Sequence, residues 1–198
     1  MKATNKGFTI LEITVVVGII GLLAVVILFS YQGEGGQFAL SRSAHQVAQK
    51  LRQAEEMAMS SQEVPVQLDP SENGVFPKGG YGIHFAIDSE NPENYYIYLF
   101  ADCDSGYQYN SNGACICETA TESCSCDETI ENIVLEDGVK IKSLSPVSVL
   151  DITFTPPDPE VTIFGSSEPI ATIILCLKNN ENITETVKVY KTGLIDIE

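Results

Sequence analysis

Residues 8–29, FTILEITVVVGIIGLLAVVILF, form a long apolar run with a single carboxylate, Glu12, near its start. As a helix these 22 residues measure about 33 Å at ~1.5 Å per residue, against a bilayer core of about 30 Å. The pattern then changes. Gly33, Glu34, Gly35 and Gly36 interrupt it and predict a hinge. Beyond them Phe38, Leu40, Ala44, Val47, Ala48, Leu51, Ala54 and Ala58 recur at three- and four-residue spacing. That spacing predicts an amphipathic helix to about Ser61, with Lys50, Arg52, Glu55 and Glu56 on its solvated side. His45 lies beside the apolar stripe and reads as a surface or packing residue.

From Val64 the period becomes two. Residues 81–87 alternate Tyr, Ile, Phe and Ile with Gly, His and Ala, and residues 95–101 are rich in aromatic side chains. Residues 130–135 and 139–144 flank Glu136-Asp137-Gly138 and predict a hairpin. Further strands are predicted over 149–155, 161–164, 170–178, 186–191 and 194–197, with turn signals at residues 179–182 and at Thr192-Gly193. Short strands joined by tight turns imply antiparallel pairing. The expected fold is α+β: a long N-terminal helix, transmembrane in its first half and amphipathic in its second, packed on an antiparallel β-rich head.

Charge narrows the function. The formal net charge is −16, with only 11 Lys and Arg, so the basic footprint that phosphate contacts need is missing and DNA binding is not expected. Lys2 and Lys6 precede the apolar run, and no acid stands among the first seven residues. The positive-inside rule therefore places the N-terminus in the cytoplasm and the head outside it. A cleaved secretory signal would have a shorter apolar region and small residues at its cleavage site, and the run here continues into LAVVILFSYQ.

A carboxylate deep in apolar surroundings is costly and implies a partner. A cut between Gly7 and Phe8 would supply one, the new α-ammonium of a neighbouring subunit, and negative charge also suits the first helical turn. The stretch Lys6-Gly7-Phe8-Thr9-Ile10-Leu11-Glu12, followed by the apolar run, resembles the class III signal of type IV pilins and type II secretion pseudopilins. The resemblance implies that a prepilin peptidase cuts after Gly7, that Phe8 becomes N-methylated, and that Glu12 guides filament assembly. It further implies a 1–7 leader, an 8–30 transmembrane and filament-core helix, a 31–62 hinge and amphipathic helix, and a 63–198 head. Many major pilins carry a proline where Phe29 stands here, and its absence leans towards a minor subunit or a pseudopilin. The small residues Gly18 and Gly21 would loosen the helix there and allow close packing.

ALSRSAHQVAQKLRQAEEMAMSSQ, YGIHF and VKVYKTGLIDIE together are similar to the minor pseudopilin and FimT-like pilin branch. Some relatives bind DNA through basic residues near the C-terminus; here that end carries acids. The implied partners are prepilin peptidase, other pilin or pseudopilin subunits, the inner-membrane assembly platform, and membrane lipid before assembly. The implied location is a single-pass cytoplasmic membrane protein that then enters an extracellular pilus or a periplasmic pseudopilus.

Six cysteines remain. Cys103, Cys115, Cys117, Cys124 and Cys126 fall within residues 103–126, and Cys176 stands in the apolar stretch ATIILCLK. The two C-x-C pairs could hold zinc as four thiolates. Disulfides are the preferred reading, because the loop is rich in small polar residues and the head is expected outside the cytoplasm. Connectivity stays open: Cys176 pairs back to the loop, or one thiol is free. Asp102-Cys103-Asp104-Ser105-Gly106 is faintly like a calcium loop but lacks its bidentate Glu, and reads as an acidic turn. Asn182-Ile183-Thr184 matches a glycosylation sequon.

Two histidines, His45 and His84, and no HExxH, GxSxG or phosphate loop argue against an enzyme; no metal and no cofactor are expected. The expectation is a structural subunit, with a membrane-tethered extracellular binding protein or enzyme as the rival class.

Overall fold

The computed structural model describes residues 9–63, 76–103, 105–110, 129–156 and 160–198, without the side chains of residues 27–34 and 160. The chain divides into two compact units, Met1–Phe38 and Ala39–Glu198.

One helix, α1, spans Ile10–Met59. Its start is set by Thr9, whose carbonyl oxygen accepts the N–H of Glu12 at 3.1 Å and of Ile13 at 3.2 Å, while its Oγ1 also accepts the Glu12 N–H at 3.3 Å. This is the orphan-donor satisfaction expected of a threonine cap. The predicted hinge is corrected, since α1 continues through residues 33–36. Each glycine there costs about 1 kcal/mol relative to alanine, and adding one residue to a formed helix costs far less than restarting it.

The transmembrane half of the expected fold, and with it the single-pass membrane location, is corrected as well. Among the described residues no helix is long and apolar enough to cross a membrane.

In the second unit α1 buries one stripe. Leu40, Ala44, Val47, Leu51, Ala54 and Ala58 are at most 1% exposed and join a single hydrophobic cluster with the strands. Phe38, expected on this stripe, is 65% exposed and belongs to the first unit. With Ala48, 3% exposed, four of the stripe residues are alanine, so the helix backbone can approach the strands closely. Leu51, fully buried, is worth about 3 kcal/mol against alanine at such a site.

Nine strands follow among the described residues: β1 Gly80–Ile87, β2 Tyr95–Asp102, β3 Thr129–Asn132, β4 Val139–Ser145, β5 Val149–Thr155, β6 Glu160–Ile163, β7 Ile170–Leu177, β8 Asn180–Tyr190 and β9 Ile195–Ile197. They make two antiparallel sheets, ordered β3-β2-β1-β5-β6 and β4-β7-β8-β9. Alternation selects the inner faces: Tyr81, Ile83 and Phe85 of β1 and Leu150, Ile152 and Phe154 of β5 in the first, Ile173 and Leu175 of β7 with Val187 and Val189 of β8 in the second.

The predicted 130–144 hairpin is also corrected. β3 pairs with β2 and β4 pairs with β7, so the two segments belong to different sheets. The turn exists, with Gly138 at φ 84° and the Val139 N–H donating to Glu136 O at 3.1 Å. Before it, however, Ile133 and Leu135 are drawn into the core, and the Leu135 N–H donates to Tyr95 Oη at 3.2 Å. Burial of those two side chains carries the chain from one sheet to the other. β8 likewise starts earlier than predicted: Leu177 pairs with Asn180, leaving Lys178 and Asn179 as a two-residue turn.

An ion cluster links the β1–β2 connection to the second sheet. Lys140 on β4 is 6% exposed and pairs with Glu93 and with Glu181, the latter at 2.7 Å. Its hydrogen bonds to Glu181 and Glu93 raise the lysine pKa, and the Lys140 hydrogen bond lowers that of Glu181. The signs fix the pH response. The carboxylate contribution is present above the ordinary carboxylate range and is lost as pH falls through the depressed value; the lysine contribution is present below the ordinary lysine range and is lost as pH rises through the raised one. In Lys140→Met, urea midpoints followed against pH are therefore expected to flatten on both flanks relative to the parent. In the first unit, Gly35 has open space around its would-be Cβ. Gly35→Ala is expected to stabilise that turn by about 1 kcal/mol, seen as a roughly fivefold rise in amide protection nearby.

Candidate functional site

Two places carry chemistry beyond core packing. The first is the N-terminal end of α1. Ile10, Leu11, Ile13, Val15, Val16, Val17, Ile19 and Ile20 are all at least 50% exposed, and so are Leu22, Leu23, Val25 and Val26. Apolar side chains at consecutive positions occupy every side of a helix with 3.6 residues per turn. Gly18 and Gly21 meet nothing within 4 Å, so the surface is indented there. Glu12 is the sole charge on this stretch, stands exposed in the first turn, and makes no ion pair among the described residues. Thr14 folds its hydroxyl back onto Ile10 O at 2.9 Å, removing a second polar group from the surface. Gly7 and Phe8, the expected cleavage and methylation positions, lie outside the described residues.

The second place is the outer face of the five-stranded sheet. Since Ile83 and Phe85 point inward, His84 points out, and the β1–β5 register sets it opposite Asp151. His84 Nδ1 and Asp151 Oδ1 are 2.6 Å apart, and the Asp151 side chain is 1% exposed. That distance is a charge-assisted hydrogen bond. Aromatic rings enclose the pair: Tyr98 stacks on His84 at 6.0 Å between centroids, Tyr109 lies at 4.7 Å, and Tyr98 and Tyr109 are 5.2 Å apart. Phe100 meets Tyr109 edge-on at 5.8 Å, and its ring covers Gly82, where a Cβ would stand 2.7 Å from it. Tyr109 Oη and Thr129 Oγ1 are 2.7 Å apart, tying this cluster to the edge strand.

The cluster was missed from sequence. Its signal was present, a histidine and an aspartate at outward positions of two alternating strands, but nothing in the alternation says which strand neighbours which. A buried carboxylate held by one imidazole can orient that ring. No nucleophile or further ligand joins it in the described geometry, and among the described residues no group of three His, Cys, Asp or Glu could hold a metal ion.

Next to it Asp102, fully buried, takes the N–H groups of Gly106 at 3.2 Å and Tyr107 at 2.7 Å. Ser105 and Tyr107 adopt positive φ of 63° and 56° around this carboxylate. The acid at the head of the cysteine segment thus folds backbone. Of the disulfide candidates, Cys115, Cys117, Cys124 and Cys126 lie outside the described residues, and Cys103 is buried. Cys176 is a free thiol among the described residues, completely buried on β7, and burial raises its pKa. A shallower recess of about 220 Å³ near the end of α1 is lined by Ala58, Phe76, Pro77, Tyr81 and Pro156. The Tyr81 hydroxyl donates to Gln62 O, and burial, with Cys103 nearby, pushes its pKa up to about 12.

Neither a family model, nor a curated protein, nor a solved structure matches the chain.

His84→Ala strands a buried carboxylate and is expected to cost about 3 kcal/mol in urea unfolding, whereas replacing both His84 and Asp151 by leucine should fall within about 1 kcal/mol of the parent.

Proposed function

We propose that this chain is a structural subunit of a type IV pilus-like filament, cut by a prepilin peptidase between Gly7 and Phe8, N-methylated at Phe8, and assembled through its N-terminal helix. The supporting observation is the exposed, all-round apolar surface of α1 over residues 10–26, interrupted by Glu12 alone. A helix apolar on every side is satisfied only when other apolar surface encloses it, and exposed patches of this kind mark interaction sites. Further copies of the same helix supply that surface. Glu12 then becomes the feature that decides register. Enclosed among apolar side chains, its carboxylate needs a cation, and a processed neighbour offers the α-ammonium of Phe8 at the start of the same helix. A subunit docked out of register leaves both charges unpaired and desolvated, so correct stagger is selected by the cost of the wrong one. The β-rich second unit carries the surface that such a filament shows.

Incubation of the full chain with a prepilin peptidase is expected to remove residues 1–7, read as the corresponding mass loss; an intact chain would count against the reading. Glu12→Ala is expected to lower incorporation into filaments by about tenfold or more, since breaking a buried ion pair costs about 3 kcal/mol, while the second unit keeps its urea midpoint. Incorporation equal to that of the parent would refute the role given to Glu12.

A further inference from the structure

The face of α1 opposite its buried stripe, over residues 42–52, carries Arg42, His45, Gln49 and Arg52, all exposed. Two of these four side chains are arginines, on a chain of net charge −16. They are weakly neutralised. Arg42 reaches Glu136 at only 3.8 Å with both side chains well exposed, and Arg52 makes no ion pair among the described residues. Lys50, Lys140 and Lys188 sit within 2.7 Å of a carboxylate, whereas Lys78, Lys142, Lys178 and Lys191, like Arg52, make no ion pair among the described residues. Along this face, between α1 and the β3–β4 connection, runs an open groove of about 550 Å³ lined by Ser41, Arg42, His45, Gln46, Gln49 and Glu136, with Arg52 outside it.

Elsewhere in the same unit an exposed turn carries acidic side chains. The β1–β2 connection turns through Asp88, Ser89, Glu90 and Asn91. It is stiffened by the Asp88 carboxylate, which accepts the N–H of Glu90 at 2.8 Å and of Asn91 at 3.3 Å. These backbone donors also hold the Asp88 carboxyl below its ordinary range, so the tip stays anionic. Glu90 is exposed and has no ion-pair partner among the described residues.

We propose that the acidic tip of the β1–β2 connection of one copy, Asp88 and Glu90, docks on the outer face of α1 in the next copy, against Arg42 beside the groove and Arg52 beyond it. The two arginines lie ten residues apart, about 15 Å along the helix, enough to flank a tight turn. Tip and groove are different surfaces of one chain, so the contact is heterologous and repeats from copy to copy. It rests on the filament reading and supplies what that reading lacks, a determinant of how successive β-rich units are placed. Exposed ion pairs are individually weak, so the contact sets orientation and encounter rate, while the apolar helices hold the assembly.

The test uses the full chain with Gln49 replaced by a benzophenone amino acid, photolysed at low and high salt. The expected product joins residue 49 of one copy to residues 88–94 of another, and falls off between about 50 mM and about 500 mM salt. Arg42→Glu with Arg52→Glu should lower its yield by about tenfold or more, and so should Asp88→Asn with Glu90→Lys; the four changes together should restore it. A yield indifferent to these reversals overturns the proposal. So does a 49-to-49 product, which would mean a twofold helix pairing with Arg42 against Glu56, and so does capture of added DNA in place of a second copy. Glu12→Ala separates the two readings. Filaments that need Glu12 but give no 49-to-hairpin product sink the docking alone; the product without any Glu12-dependent filament sinks the filament reading alone.

Discussion

The seat of the alanine-rich stripe of α1 is the constraint on which the second unit depends. Ala44, Ala48, Ala54 and Ala58 keep the helix surface low, and Leu40, Val47 and Leu51 fill the space between. The inner faces of both sheets converge on that stripe in one cluster, so each sheet is held by what the other leaves uncovered. The polar ties follow the same seat. Ser43, fully buried, accepts the Glu136 N–H at 3.1 Å; Gln46 donates to Val134 O at 3.1 Å; Lys50 binds Glu131 at 2.6 Å. All three end on β3 or on the segment linking it to β4, where the chain leaves one sheet for the other. A crossing strand-to-strand connection has few ladder hydrogen bonds of its own, and α1 satisfies several of its groups.

Charge is handled differently at depth and at the surface. Asp151, with its side chain 1% exposed, has a partner at hydrogen-bond distance and aromatic rings around that partner. Asp102 is neutralised by backbone N–H dipoles. Lys140 takes two carboxylates whose own side chains are more than half exposed, which spares them most of the desolvation cost. On the outer α1 face Arg42 pairs only at 3.8 Å with Glu136, both side chains being well exposed.

The two units answer the hydrophobic effect in opposite ways. The described residues of 39–198 bury most of their apolar side chains within the chain, while the described side chains of residues 10–26 leave theirs exposed on every side. The second arrangement is unfavourable for an isolated molecule and is relieved by association.

Much was decided locally and could be read from the amino-acid order. The three- and four-residue spacing from Leu40 to Ala58 fixed which side of α1 is buried, because 3.6 residues per turn leaves one solution. Alternation from Tyr81 to Ile87 and from Val149 to Thr155 likewise set the inward faces, and Asn and Gly marked most turns. Tertiary structure alone decided the rest. Ile133 and Leu135 are buried because α1 and the second sheet offer them a place, which splits an apparent hairpin between two sheets. The pairing of His84 with Asp151 needed β1 and β5 to be neighbours, although 67 residues separate the two side chains. Helix continuity through Gly35 was a contest between a local cost of about 1 kcal/mol per glycine and the propagation of turns already formed on either side. Periodicity records which face a residue shows; it does not record what that face meets, since partners distant in sequence are chosen by the packing of whole elements.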